Sequence, residues 1–253
     1  MQISMQNVVM IPARYGSSRF PGKPMVKING LTLLNRAWMI ARSAKNVDEV
    51  YIATDDKRIF DHAQNFGAKA VMTSESCPNG SFRTMEAVEN LKIKPNIVVN
   101  FQGDAVLTPP WIIEAVIEEL KNNTEVKIAT PAVRLGSGSK PGGTMVVFDL
   151  KKDALYFSRA KIPFKRDTNS SSDGFYRHIG MYGYKLDALK QYVSLKPTPL
   201  EEAEKLEQLR ALENGMKIRI VEVDYRGRTH GSVDYPEDVK IAEDIINKEG
   251  ELV

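Results

Sequence analysis

Residues 8 to 23, VVMIPARYGSSRFPGK, constrain this chain more than any other stretch. A strand-length apolar run passes directly into a loop holding two glycines, serines, arginines and a closing Lys23. In an α/β protein such a turn presents backbone N–H groups and cations to a polyphosphate at the carboxyl end of the sheet. Nucleotide chemistry is therefore the first expectation. The run fits neither G-x-x-x-x-G-K-[ST] nor G-x-G-x-x-G, so a Walker-type NTPase and a dinucleotide-binding turn are both unsupported.

The rest of the chain narrows the class. At 253 residues and 42% hydrophobic content it can bury one large core, and a single α/β unit spanning 1–253 is the default. The lone Cys77 excludes an internal disulfide, and no basic start followed by an apolar run marks a signal peptide, so a reducing cytoplasm is expected. No stretch approaches the ~20 apolar residues of a membrane span. The 35 basic and 32 acidic residues are interspersed, leaving a net charge of only +3 and no electrostatic footprint for nucleic acid.

Strand-like and helix-like segments alternate through the first half, the pattern of a parallel sheet with right-handed crossovers. Strands are expected at 8–11, 49–53, 69–72, 96–101 and 127–133, with helices at 32–43, 58–66, 82–91 and 110–122. After a Gly- and Ser-rich turn at 136–143 the order changes. Strands at 144–149, 175–185 and 218–223, with helices at 186–192, 200–214 and 235–248, predict a mixed sheet with a small inserted α/β subdomain at about 140–190.

Asp104 follows an apolar strand and a glycine, in the sequence NFQGD. A carboxylate there suits Mg²⁺ beside phosphates, and suits a helix cap or turn equally well. Asp234, in SVDYPED, reads by pattern as the N-cap of a Pro-started helix. His178 reads as a buried histidine satisfied by backbone, yet Arg159, His178 and Tyr182 also offer a planar cation and polar tips of the kind that hold a sugar acid. LEQLR at 206–210 reads as a solvated amphipathic helix, with Glu201 four residues before Lys205.

The order and spacing of several motifs resemble the 3-deoxy-manno-octulosonate (Kdo) cytidylyltransferases: the 14–23 loop, ATDD at 53, QGD at 102, ALYFSRA at 154, HIGMYGY at 178, LEQLRALE at 206 and VDYPED at 233. The resemblance implies a Rossmann-like nucleotidyltransferase fold of the GT-A-like kind, with helices on both faces of a mixed sheet, and a homodimer. It implies CTP on Pro12, Ala13, Arg14, Gly16, Ser17, Lys23, Gly80, Ser81, Arg83 and Gln102. It implies an acidic sugar acceptor on Arg159, His178, Tyr182, Glu207 and Gln208, Mg²⁺ on Asp104 and Asp234, and catalysis by Arg14, Lys23 and Asp104.

The implied reaction moves CMP from CTP to a 2-keto-3-deoxy sugar acid and releases pyrophosphate, for lipopolysaccharide or capsule precursors. Three departures fall inside these motifs. Phe82 stands where the family has an acid, Ala105 where it has another, and Met145 where it usually has Lys. They are expected to alter the acceptor cleft, so 8-amino-Kdo, another ulosonate or a phosphonate are alternative acceptors, and a non-catalytic nucleotide-binding homologue is the alternative of another class.

Overall fold

The computed structural model describes residues 7–16, 20–136, 143–166 and 174–253. Strand β1 (Asn7–Ala13) is buried along nearly its whole length, as a central strand covered on both faces must be. After it come a 3-10 turn at Lys23–Met25 and a two-stranded ribbon of β2 (Lys27–Ile28) and β3 (Leu31–Thr32). Helix α1 (Leu33–Ser43) starts where the Thr32 hydroxyl accepts from the Asn35 N–H. Then follow β4 (Glu49–Thr54), α2 (Lys57–Asn65), β5 (Lys69–Met72), α3 (Gly80–Asn90), β6 (Ile97–Asn100), α4 (Pro110–Asn122) and β7 (Ile128–Arg134).

The later strands are β8 (Met145–Phe148), β9 (Ala154–Ser158), β10 (Tyr176–His178) and β11 (Tyr182–Lys185). Helices α5 (Leu186–Val193), α6 (Pro199–Glu204) and α7 (Gln208–Glu213), strand β12 (Arg219–Val223) and helix α8 (Glu237–Glu249) complete the chain. One sheet runs in the order β5-β4-β1-β6-β11-β7-β10-β8-β9, with β12 also on β7. β5, β4, β1 and β6 are mutually parallel. Because β4 and β5 lie on one side of β1 and β6 on the other, chain order reverses between β1 and β6, and a crevice opens outside their carboxyl ends.

Helices cover both faces. Ile40 of α1 and Ile113 and Val116 of α4 join one buried cluster; Met85 of α3, Leu189 of α5 and Leu209 of α7 join the other. Gly183 in β11 lets α4 approach the sheet, because a Cβ there would lie 2.6 Å from Val116 and 2.7 Å from Leu120. The stretch expected as an insertion adds β8 to β10 at the sheet's far edge and β11 near its middle.

Two segments differ from the expected elements. The strand predicted over 175–185 is interrupted at Ile179–Met181. β10 and β11 pair with successive parts of β7 on the edge opposite β12, and the interruption lets their other edge change partner from β8 to β6. The helix predicted over 200–214 breaks at Lys205, which adopts the left-handed conformation at φ 54°. Strand β9, inside ALYFSRA, carries too little alternation to be read from sequence, and pairing with β8 creates it.

Candidate active site

A cleft of about 460 Å³ occupies the crevice beyond β1 and β6. One wall comes from the ends of those strands and the start of α3. Pro12, Ala13, Arg14, Gly80, Arg83 and Gln102 line it. Asn79 caps α3 by accepting from the Phe82 N–H at 3.1 Å. Gly80 follows because nothing larger fits: a Cβ would lie 2.9 Å from Gln102 Nε2 and 3.2 Å from both Asn100 and Pro12.

Arg83 is buried and donates to Thr73 Oγ1 at 2.6 Å and Asp55 Oδ2 at 3.0 Å. Asp55 and Asp56, the two acids of ATDD, thus divide their work, since Asp56 caps α2 at the Arg58 N–H. Arg14 is exposed at the rim. Gly16 lies in open space on the same loop, and Ser17 lies outside the described residues.

The opposite wall comes from β10, β11 and the α6–α7 break, and brings Arg159, His178, Tyr182, Glu207 and Gln208 together as expected. The break at Lys205 turns the last carbonyls of α6 toward Arg159, whose guanidinium donates to Glu204 O at 2.9 Å and Lys205 O at 3.3 Å. A helix running unbroken through 205 would hide those carbonyls. Lys205 and Thr144 also line the cleft, and neither is among the expected site residues.

His178 is buried, and its Nε2 lies 2.8 Å from the Thr130 hydroxyl. That hydroxyl donates to Met181 O at 2.6 Å, so it accepts from His178, and the ring carries its proton on Nε2 and keeps Nδ1 as an acceptor. Burial pushes the imidazole down to about 3, so it is neutral throughout the physiological range. The buried Gln208 amide lines the cleft with its Nε2 lacking any partner among the described residues. Burial pushes the Glu207 carboxyl up to about 7, opposed by hydrogen bonds from Ser81 and Tyr192.

A third group sits at the end of the 14–23 loop. Lys23 Nζ lies 2.5 Å from Asp104 Oδ2 and 3.9 Å from Asp234 Oδ1, and donates to Val233 O at 3.0 Å. Asp234 is not the cap of α8. Asp238 reaches back to accept from the N–H groups of Asp234 and Tyr235, both at 2.8 Å.

Ser81 and the three departures stand elsewhere than expected. Ser81 is fully buried behind the wall, where a nucleotide cannot touch it, because it is the second residue of α3 and faces the sheet. Phe82 points away from the cleft, packs edge-on to Tyr192 and lies under the Arg210 guanidinium at 5.2 Å. Ala105 closes a turn with Gln102 and packs on the core. Met145 is buried with Leu135 and Phe175, while its neighbour Thr144 takes the cleft side. None of the three lines the cleft.

The sequence model of the Cytidylyltransferase family matches residues 8–218. The 3-deoxy-manno-octulosonate cytidylyltransferase of Maricaulis maris is 48% identical over 260 residues, covering 98% of this chain and 100% of that one. This chain belongs to the 3-deoxy-manno-octulosonate cytidylyltransferase family. The 8-amino-3,8-dideoxy-manno-octulosonate cytidylyltransferase of Shewanella pealeana is 42% identical over 94% of this chain and 98% of its own. A solved CMP:2-keto-3-deoxy-manno-octonic acid synthetase in complex with CTP superposes with a TM-score of 0.88 at 34% identity, covering 96% of this chain and 99% of that one. As a family member the chain is a cytidylyltransferase enzyme of mixed α/β fold. Among the described residues no helix is long and apolar enough to cross a membrane.

Proposed function

We propose that this protein transfers CMP from CTP to 3-deoxy-manno-octulosonate, releasing pyrophosphate. One observation carries the acceptor half of this reading: Gln208, whose buried Nε2 has no partner among the described residues, lines the same wall of the cleft as Arg159 and His178. A buried unmet donor costs free energy that a ligand oxygen recovers. A carboxylated, polyhydroxylated sugar supplies both the anion for Arg159 and the hydroxyls for Gln208, Glu207 and His178.

The nucleotide occupies the β1–α3 wall. Its base lies against Pro12, Ala13, Gly80 and Gln102, and its phosphates run toward Arg14 and Lys23. The acceptor's anomeric hydroxyl then faces the α-phosphorus across the cleft, and no protein nucleophile is required. Arg14 and Lys23 neutralise charge as it spreads to the departing pyrophosphate, and the two walls hold the reactants in line.

Two carboxylates converging on one cation suit Mg²⁺, which takes few protein ligands and completes its shell with phosphate oxygens and water. Asp104 and Asp234 would hold it, and when bound it supplies charge stabilisation to the triphosphate. Lys23 must then leave Asp104 for a phosphate oxygen. The reading extends to a homodimer in the cytoplasm and to a product consumed in lipopolysaccharide or capsule precursor synthesis.

Pyrophosphate release from CTP with a panel of acidic sugars tests the reading. Turnover with 3-deoxy-manno-octulosonate is expected. The Shewanella relative makes 8-amino-3,8-dideoxy-manno-octulosonate the competing acceptor, and a strong preference for it would transfer the assignment to that sugar.

A further inference from the structure

Tyr192 of α5 places its hydroxyl between residues of the two walls. The hydroxyl lies 3.2 Å from Glu207 O and 3.5 Å from Glu207 Oε2. On its other side Asn79 Nδ2 approaches to 3.5 Å. Asn79 and Glu207 both line the cleft, one at the start of α3 and the other at the start of α7. Tyr192 does not line it and is only 1% exposed.

The direction of each bond follows from the chemistry. Asn79 Oδ1 accepts from the Phe82 N–H at 3.1 Å, so the amide presents Nδ2 to the tyrosine. A phenol has one proton and a carbonyl oxygen only accepts, so Tyr192 donates to Glu207 and accepts from Asn79. Burial pushes the phenol above its ordinary value, so it keeps that proton throughout the physiological range.

Neither packing nor helix closure accounts for this oxygen. The ring is held edge-on by Phe82 at 6.1 Å, by Tyr184 at 6.2 Å and under the Arg210 guanidinium at 5.6 Å, contacts that a phenylalanine ring would make as well. The Glu207 carbonyl already accepts from the Arg210 N–H at 3.2 Å, and the Glu207 side chain does not cap α7. Because the chain turns out of α6 at Lys205, α6 does not carry Glu207 into place either.

We propose that Tyr192 is a positioning residue for acceptor binding, its hydroxyl setting Glu207 at the start of α7 against Asn79 at the start of α3. The inference rests on the reading of Glu207 as an acceptor ligand.

The test compares Tyr192→Phe, Asn79→Ser, their double variant and Glu207→Gln in the full-length enzyme, with CTP and 3-deoxy-manno-octulosonate as probes. Glu207→Gln is expected to raise acceptor KM at least about tenfold. Tyr192→Phe keeps the ring and loses only the oxygen. It should raise acceptor KM about five- to tenfold, while CTP Kd changes less than about twofold and Tm falls by no more than about 4 °C. Asn79→Ser keeps a good helix cap and removes the amide donor, so acceptor KM should rise about threefold. In the Tyr192→Phe background the same change should add nothing.

An unchanged acceptor KM in Glu207→Gln removes the reading of Glu207, and the inference with it. With that reading intact, an acceptor KM unmoved in Tyr192→Phe overturns the inference alone. So does a rise in CTP Kd equal to the rise in acceptor KM, which marks a general loosening of the cleft, and so does full additivity of Tyr192→Phe and Asn79→Ser. If Tyr192→Phe fails to fold, Asn79→Ser decides, and an unmoved acceptor KM there overturns the inference.

Discussion

Lys23 and Asp104, 81 residues apart in sequence, meet at 2.5 Å, with the Lys23 ammonium leaning toward Asp234 on the far side. Three chain segments meet at one amine: the end of the 14–23 loop, the turn after β6 and the approach to α8. The amine lies between the two carboxylates, and in the proposed transfer it turns to a phosphate oxygen. Lys23→Ala should therefore slow the single-turnover chemical step by at least ~10²-fold, the usual scale for removing a preorganised charge from a developing phosphate. An unchanged rate would reduce Lys23 to a structural tie.

Asp234 and Asp238 separate by experiment. Asp234→Asn should abolish Mg²⁺-dependent turnover and leave thermal stability nearly unaltered, because its side chain does not cap α8. Asp238→Ala removes an acceptor from two backbone N–H groups and should cost about 1 kcal/mol of stability, read by denaturant unfolding. The reverse pattern would restore Asp234 as the cap.

Gly80→Ala should weaken CTP binding by calorimetry and destabilise the fold by about 1–3 kcal/mol, since the added methyl drives Gln102 from its seat 2.9 Å away. Retained affinity would show that the α3 start can retreat.

Phe82→Asp should leave acceptor selectivity where it is, because the ring lies under Arg210 and away from the cleft. The new acid would meet a guanidinium already held by Glu201 at 2.7 Å on two sides. A shift toward a different sugar acid, measured by competing acceptors, would return position 82 to the specificity set.

Stability should fall on acidification. Burial pushes His178 down to about 3 and His230 down to about 4. The unfolded chain takes up these protons below the ordinary histidine value of about 6.5, whereas the folded chain refuses them, so stability present above that value is lost as pH falls toward about 4. His230→Gln should flatten the fall of Tm across this window. An identical slope in the variant would assign acid sensitivity to other groups.

The parallel half of the fold was legible because β1, β4 and β6 are continuous apolar runs and α1 and α4 keep strict helical spacing. The second half was harder to read. Lys205 breaks a helix whose local sequence favours continuation, because Arg159 and the Glu201–Arg210 ion pair set that geometry from a distance. Glu201 accordingly pairs with Arg210, where the i,i+4 spacing pointed to Lys205.

Most of the residues lining the cleft were legible from their motifs, which put Gly80, Gln102, His178 and Glu207 at strand and helix ends. Which side of an element a motif residue faces was not. Ser81 follows Gly80 directly and yet turns inward, and Met145 follows Thr144 and does likewise. Adjacency in sequence carries no orientation until the partner strand is known.

Transfer of CMP between the two walls requires both substrates in the cleft at once. Phosphorus NMR of a mixture of the enzyme, CTP, Mg²⁺ and 3-deoxy-manno-octulosonate tests it most directly. The triphosphate signals should disappear with matched growth of a phosphodiester and of pyrophosphate, and only when both substrates are present. CTP that binds tightly and stays intact with this sugar and with its 8-amino analogue would contradict it.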